Sequence, residues 1–178
     1  MKKLIFIPII GLCCYFYSAV YSLNQIHKGI FYNDKSLIRE YIEWRELRQN
    51  FKNYMNVQIF KQTQKNKNLK NSESLSILVS SFASKIINSF LDTYLNPEGL
   101  SMLLENYYKT NDLPEPNFKS MIGGFKMMKF TGHSSFKIEE KFENQKLFLI
   151  FKRIGINWKI VRVELPNNLF DKLSKNLI

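Results

Sequence analysis

The sequence predicts an α+β fold, with an N-terminal apolar helix followed by helices that pack on a C-terminal antiparallel β-meander. Three observations predict it. Apolar residues recur at helical spacing over residues 24–107, they alternate with polar residues in the last third of the chain, and strands do not alternate with helices as in parallel α/β folds. With 178 residues, 45% of them apolar, the chain is long enough for one domain with its own core.

The first element is an apolar segment that follows two lysines. The range Leu4–Leu23 contains no charge, and a twenty-residue helix is about 30 Å long, which matches the hydrocarbon thickness of a bilayer. Lys2 and Lys3 favour an amino terminus in the cytoplasm. We therefore predict that residues 1–23 cross a cell membrane once as an anchor, and that residues 24–178 form one extracytoplasmic domain of a bacterial envelope protein.

Two other interpretations of residues 1–23 are compatible with the sequence. The segment is a signal peptide if cleavage occurs near Val20–Ser22, although that sequence is a poor match to a small-x-small site, and the domain is then secreted. It is otherwise a helix of the domain's own core. Cys13 and Cys14 do not follow the residues that a lipoprotein site needs. No cysteine occurs after them, so the fold rests on its core and not on disulfides.

Residues 24–107 are predicted to be helical. Asn33 or Asp34 is placed to cap the first of these helices, and a second helix begins near Trp44. The polar residues 61–74 predict a loop or a frayed helix end. The clearest apolar stripe, Leu75–Leu95, follows i, i+3, i+4, i+7 spacing, which predicts a helix with one buried face.

The next helix has clear start signals. Asn96 is a suitable N-cap, and Pro97 suits the first helical position because its missing N–H needs no partner there. Residues 111–117 are rich in Asn, Asp and Pro and predict a loop. Gly123 and Gly124 predict a further break.

The last third of the chain predicts strands and a final helix. Phe125–Thr131 is a possible edge strand, and Phe136–Phe142 alternates as a half-buried strand does. Leu147–Phe151 is continuously apolar, which predicts a strand covered on both faces. Trp158–Leu165 predicts the next strand, and Leu169–Ile178 predicts a closing helix.

The net charge of +11 has a compositional explanation. The basic residues are 21 lysines and only 5 arginines, beside 18 asparagines, which is what adenine-rich codons supply. Phosphate and base recognition favours arginine, so the composition disfavours a nucleic-acid partner. The densest cluster, called the lysine patch, comprises Lys52, Lys61, Lys65, Lys67 and Lys70. Because it lacks interleaved aromatic residues, an anionic lipid surface suits it better than nucleic acid does.

The sequence predicts no metal site, no cofactor and no catalytic residue. It contains neither a Gly-x-Ser-x-Gly elbow nor a phosphate-binding glycine loop, and its two histidines are 106 residues apart in sequence. An enzyme of unrecognised type is one alternative function, with His133 acting together with Glu140 or with a nearby serine. Binding of anionic lipid or nucleic acid through the lysine patch is another.

A non-catalytic binding or interaction module is the leading prediction. A curved sheet packed on helices, as in nuclear-transport-factor-like or cystatin-like cones, forms a concavity that can bind a small molecule or a protein. Tyr41, Trp44 and Trp158 are the aromatic candidates to line such a pocket. Aromatic residues in these positions are more often core than pocket wall.

Several short motifs occur in a characteristic order along the chain: Ser18–Leu23, Asp34–Leu37, Tyr41–Arg48, Pro97–Leu100 and Arg153–Ile160. Together they resemble an uncharacterised bacterial family, the domain of unknown function 2939. The resemblance implies an exported or membrane-anchored α+β domain, and it implies no activity.

Overall fold

A computed structural model describes residues 6–65, 73–108, 114–142 and 145–164 of the chain. Its architecture is α+β, as the sequence predicts. Within the described residues the helices are α1 Phe6–Phe31, α2 Lys35–Glu40, α3 Trp44–Lys65, α4 Glu73–Tyr94, α5 Pro97–Tyr108 and α6 Phe118–Met127. The strands are β1 Met128–Gly132, β2 Ser135–Phe142, β3 Gln145–Ile154 and β4 Asn157–Glu164. The predicted closing helix at Leu169–Ile178 lies outside the described residues.

The four strands form one antiparallel meander in the order β1-β2-β3-β4, which confirms the predicted topology. Two-residue turns join β1 to β2 at His133–Ser134 and β3 to β4 at Gly155–Ile156. Gly155 has a φ of +65°, a left-handed conformation that favours glycine. In a meander the first and third turns lie at the same end of the sheet, here called the turn end.

One face of the sheet is apolar and carries the helices. Phe136, Phe151 and Trp158 are each 0% exposed on this face, and Ile138 and Ile160 are buried beside them. The rings of Phe136 and Phe151 stack with their centroids 4.5 Å apart. These residues of neighbouring strands form the centre of the core.

The opposite face of the sheet is charged. The carboxylate of Glu139 lies between the ammonium groups of Lys129 and Lys146, at 2.9 and 2.7 Å. Leu147–Phe151, which the sequence predicts to be covered on both faces, is only half-buried at Phe148. The ammonium of Lys137 lies 4.8 Å from the centre of the Phe148 ring. Long lysine stems here give part of the cover that a second layer supplies in other sheets.

Helix α1 lies against the apolar face of the sheet and continues eight residues past the predicted anchor boundary. Ala19, Ser22 and Ile26, which share one side of α1, are all buried. The chain then reverses sharply, because Asn33 adopts a left-handed φ of 52° and Gly29 lets α2 approach. Asp34 caps α2 by accepting from the backbone N–H of Ser36 at 2.9 Å, as predicted.

The exposed edge of β4 is covered by the segment between α2 and α3. The N–H of Ile160 donates to the carbonyl of Tyr41 at 3.0 Å, and the N–H of Glu43 donates to the carbonyl of Ile160 at 2.9 Å. Asn50 of α3 then donates to the carbonyl of Val161 at 3.0 Å. These bonds satisfy backbone groups of Ile160 and Val161 in the middle of β4, so this part of the edge does not offer a template for another strand.

Helices α3 and α4 are longer than the sequence predicts. Residues 61–65 belong to α3 and residues 73–74 to α4, although their polarity predicts a loop. Ile87 and Leu91 of α4 are buried, and the guanidinium of Arg48 donates to the carbonyl of Leu91 at 2.8 Å.

The buried face predicted for α4 is partly wrong. Leu78, Phe82 and Ile86 are 65%, 69% and 54% exposed, although they belong to the same apolar stripe as Ile87 and Leu91. The stripe is wider than the groove that α3 and α5 offer. Only its inner side is therefore covered by described residues.

Gly123 and Gly124 do not interrupt the helix, so the predicted break at these residues is wrong. Both lie inside α6, whose N-terminus is closed by a capping box between Asn117 and Ser120. A Cβ atom at Gly124 would lie 2.7 Å from Cδ2 of Leu23. The glycine thus lets α6 pack closely on α1.

The structure predicts opposite effects for two glycine-to-alanine substitutions. Gly99 is held by its N-cap Asn96 at 2.8 Å, and a Cβ atom there would overlap the carbonyl oxygen of Thr93. We expect Gly99→Ala to lower the free energy of unfolding by about 2 kcal/mol. Gly123→Ala is the control, since open space surrounds its Cβ position, and it should raise stability by about 0.5–1 kcal/mol.

Chemical denaturation of the full chain in mild detergent measures both changes. Equal stabilities of the two variants would contradict the close approach of α5 to the end of α4.

Candidate functional site

The most unusual site in this structure is the contact between α1 and Trp158. The side chain of Trp158 is 0% exposed. Its backbone N–H donates to Oγ of Ser22 at 3.0 Å, and its indole N–H donates to Oγ of Ser18 at 3.0 Å. Both polar hydrogens of a buried tryptophan are therefore satisfied by the segment that the sequence identifies as an anchor or leader.

Aromatic rings surround this pair of hydrogen bonds. Tyr15 meets the Trp158 ring edge-on at 5.4 Å, and Phe136 lies 5.2 Å from it. Phe16 packs edge-on against Phe130 of β1 at 5.3 Å. Such contacts contribute beyond their buried area, so the segment around residues 15–22 is a structural part of the domain.

Polar groups of the turn end close the site. The hydroxyl of Tyr15 donates to the backbone carbonyl of His133, and the guanidinium of Arg153 lies 5.6 Å from the centre of the Tyr15 ring. The N–H of Arg153 donates to the carbonyl of Ser134 at 2.9 Å. The β1–β2 and β3–β4 turns are therefore both held next to Tyr15 of α1.

The part of α1 before Tyr15 is exposed. Every residue from Pro8 to Cys14 is solvent-exposed, including Ile9, Ile10 and Leu12, which are 51–59% exposed. We call residues 6–14 the free half of α1 and residues 15–31 the docked half. Over Pro8–Phe31 the helix is long and apolar enough to cross a membrane, and a signal sequence or a core helix meets the same criterion.

The three aromatic candidates for a ligand pocket lie in the core or at its margin. Tyr41 is 4% exposed, and burial raises the pKa of its hydroxyl. Trp44 is half-buried, and its indole N–H donates to the carbonyl of Arg39 at 3.3 Å. Trp158 is fully buried as described above. The structure thus gives these rings packing roles.

A cavity of about 410 Å³ lies elsewhere, beside α2, and none of the three predicted aromatic residues lines it. Its wall includes an exposed ion pair between Arg39 and Glu98 at 2.8 Å. The cavity is lined by Lys35, Ser36, Arg39, Glu40 and Glu98.

No described side chain forms a catalytic pair with His133, and the side chain of Glu140 lies outside the described part of the structure. His133 is exposed on the β1–β2 turn, and no described carboxylate or hydroxyl is hydrogen-bonded to its ring. The hydroxyl of Ser135 lies 2.9 Å from that of Thr131. Glu140 pairs through its backbone with Leu147 inside the sheet.

Two members of the lysine patch, Lys52 and Lys61, have described side chains. Lys52 and Lys61 are both exposed on α3, but nine residues are two and a half helical turns, so they lie on opposite sides. Lys65 ends α3, and Lys67 and Lys70 lie outside the described residues.

Metal ligands are likewise not clustered in the part of the chain that the structure describes. No group of three or more His, Cys, Asp or Glu residues there could hold an ion. The two cysteines, Cys13 and Cys14, are exposed on the free half of α1.

Residues 9–103 match the family described as protein of unknown function, DUF2939, over just over half of the chain. The chain belongs to the DUF2939 family. The DUF2939 match begins in the free half of α1 and ends in α5, so it includes Ser18 and Ser22 but not the sheet. Neither a curated protein nor a solved structure matches the chain significantly.

Sequence reasoning missed Ser18 and Ser22 as docking residues. Their side chains are polar within an apolar segment, which is also typical of the end of a leader. The available signal was the spacing of Tyr15, Ala19, Ser22 and Ile26, which places them on one side of a helix.

Removal of the Ser22 hydroxyl should destabilise the domain. Ser22→Ala leaves the buried N–H of Trp158 without an acceptor, and we expect a loss of about 1–3 kcal/mol in the free energy of unfolding. Tyr17→Phe is the control on the exposed side of the same helix, where little change is expected. Urea denaturation of the full chain, followed by tryptophan fluorescence, compares them. Wild-type stability in Ser22→Ala would show that the hydrogen bond is not needed.

Acid should weaken the charged face of the sheet through Glu139. Hydrogen bonds from Lys146 and Lys129 lower the pKa of Glu139 from 4.5 to about 2. A carboxyl group with a depressed folded-state pKa stabilises the fold above its unfolded value, and that contribution disappears as pH falls from about 4.5 to about 2.

Melting temperatures measured across this acid range test the effect. Glu139→Gln should flatten the dependence of melting temperature on pH in that window. Glu115→Gln makes the same charge change on an exposed loop residue and should follow the wild type. Parallel profiles for wild type and Glu139→Gln would contradict the assignment.

Proposed function

We propose that this DUF2939 protein is a non-catalytic interaction module held at a membrane by an N-terminal helix that stays uncleaved. The observation that carries the proposal is the pair of hydrogen bonds from Trp158 to Ser18 and Ser22. The helix therefore has two uses. Its docked half completes the core, and its free half presents apolar residues that water disfavours.

Cleavage near Val20–Ser22 is the alternative that this contact disfavours. Such cleavage removes Ser18 and Ala19, and it leaves Ser22 at or beyond a frayed chain end. The indole N–H of Trp158 then loses its acceptor, and the buried side of α1 loses its packing. Leaders that are removed do not ordinarily contribute side chains to the mature core, so the packing supports retention.

The predicted orientation follows from the two lysines. If α1 crosses the membrane, Lys2 and Lys3 keep the amino end in the cytoplasm, and the domain lies outside the cell membrane. A crossing uses Leu4–Leu23, however, and these residues include Ala19 and Ser22 of the core. A full crossing therefore requires α1 to leave the sheet.

The interaction partner with most support is the membrane itself. The rings of Tyr41 and Trp158 are buried, so a small-molecule site built on them has no open surface. Binding of a further protein or small molecule stays a prediction. Exposed His133 gives no support to catalysis.

Two truncations separate the anchor from the core. A chain that begins at residue 13 keeps the docked half, and we expect it to fold but to be recovered less in the membrane fraction. A chain that begins at residue 24 mimics signal cleavage, and we expect it to unfold or aggregate because Ser18, Ala19 and Ser22 are missing. Circular dichroism and membrane fractionation measure the two properties.

The untruncated chain gives the direct test of retention. When these 178 residues are expressed, the protein recovered from membranes should keep its full mass of about 21.2 kDa, apart from processing of the first methionine. A mature mass that lacks the first 20 or so residues, in a protein that stays folded, overturns the proposal. Stable folding of the chain that begins at residue 24 overturns it independently.

A further inference from the structure

A second apolar surface accompanies α1. None of the residues of α6 is buried, and Phe118, Ile122 and Phe125 are 71%, 41% and 45% exposed at i, i+4, i+7 spacing. Lys119 and Lys126 occupy a different side of the same helix. No described residue covers this apolar stripe, so α6 is an amphipathic helix with its apolar side open.

Helix α6 runs antiparallel to α1. His27 of α1 lies near the loop before α6, with its Nε2 atom 2.9 Å from the carbonyl oxygen of Pro114. Leu23 faces Gly124 within α6, and Phe16 faces Phe130 just after it. Residue numbers in α1 therefore decrease along the contact as those in α6 increase.

The exposed side of α1 points away from the sheet. Ala19, Ser22 and Ile26 meet the sheet, and Tyr17 and Tyr21 lie on the opposite side of the helix, where they are 63% and 41% exposed. Ile10 continues this side into the free half at the same helical spacing. An apolar stripe thus follows the outer side of α1 from Ile10 to Tyr21.

The open side of α6 points the same way. Gly124 faces α1, and Phe118 and Phe125 lie about a third of a turn around the helix from it. On α1, Leu23 lies between the side that faces the sheet and the outer side. Because both helices are right-handed and antiparallel, the rotation on α6 from Gly124 to Phe118 and Phe125 therefore turns away from the sheet. We call the combined outer surface the membrane face; it consists of Tyr17, Tyr21, Phe118, Ile122 and Phe125.

The dimensions of α1 favour a membrane contact in the plane of the interface. While the docked half stays on the sheet, the free half of nine residues is about 14 Å long, less than half of the roughly 30 Å hydrocarbon layer. Upright insertion of this half would carry Lys2 and Lys3 into the bilayer centre, which is costly. A helix lying in the plane keeps both lysines among the headgroups.

We propose that the folded domain lies on an anionic bilayer with α1 and α6 side by side in one leaflet, so that the membrane face enters the headgroup–acyl boundary. This inference rests on the proposed membrane attachment and specifies its geometry. Lys28 at the far end of α1, with Lys119 and Lys126 on α6, supplies positive charge around the face for anionic headgroups. Continuity with the apolar free half favours lipid over a protein partner.

Spin-label accessibility distinguishes this arrangement from a crossing helix. In full chains bound to vesicles of phosphatidylcholine and phosphatidylglycerol, one nitroxide is attached at position 122 after Ile122→Cys, in a Cys13→Ser, Cys14→Ser background. A second is attached at position 137 after Lys137→Cys, on the opposite face of the sheet. We expect binding to shield position 122 from a water-soluble nickel complex and expose it to oxygen, while position 137 stays in water.

A label on native Cys13, in a Cys14→Ser background, reports the free half separately. Lipid contact at position 13 with water at position 122 overturns the in-plane arrangement and leaves the proposed attachment standing. Water at both positions overturns the proposed attachment and this inference with it. Lipid contact at position 137 also overturns the in-plane arrangement.

Matched triple variants test the contribution of α6 to affinity. Replacement of Phe118, Ile122 and Phe125 by Gln should lower vesicle binding at least about tenfold, because interfacial affinity scales with buried apolar area. The control replaces Leu78, Phe82 and Ile86 of α4 by Gln, an equal number of exposed apolar residues at similar spacing. An equal loss in both variants, or none in the α6 variant, contradicts the assignment of the membrane face.

Discussion

The fold depends on the requirement that a tryptophan buried at the end of the sheet satisfy both of its N–H groups. The side chain of Trp158 is 0% exposed, and each unpaired donor at such a buried position costs on the order of 1–3 kcal/mol. Ser18 and Ser22 are one helical turn apart, so one helix satisfies the two donors together. This requirement fixes the position and rotation of α1 on the sheet, and the remaining helices are arranged around it.

The position of α1 in turn determines where the other layers lie. Leu23 points sideways, and Gly124 gives α6 room to pack against it. Gly29 at the other end admits α2, which leads the chain to the edge of β4. One side of α1 is thus buried by the sheet and one by α6, and the outer side stays apolar and open. The same helix supplies the core and the surface that we propose for lipid.

Local signals in the sequence predicted local structure well. The caps at Asp34 and Asn96 need only a few neighbouring residues, and alternation identified β2 while a continuous apolar run identified β3. Features that depend on distant contacts were missed. Gly124 was predicted to be a break because its close contact with Leu23 is not visible in the local sequence. Ser18 and Ser22 were interpreted as part of a leader because their hydrogen-bond partner, Trp158, lies far away in the sequence.

The separation of these partners affects the order in which the protein folds. The hydrogen bond between Trp158 and Ser18 joins residues 140 positions apart, from the first helix to the last strand. Contacts of such range form late, and β4 is synthesised after all the other described elements. A first helix still occupied by an export channel or a lipid surface leaves the apolar face of the sheet without its cover. Release of one segment then governs when the whole domain becomes stable.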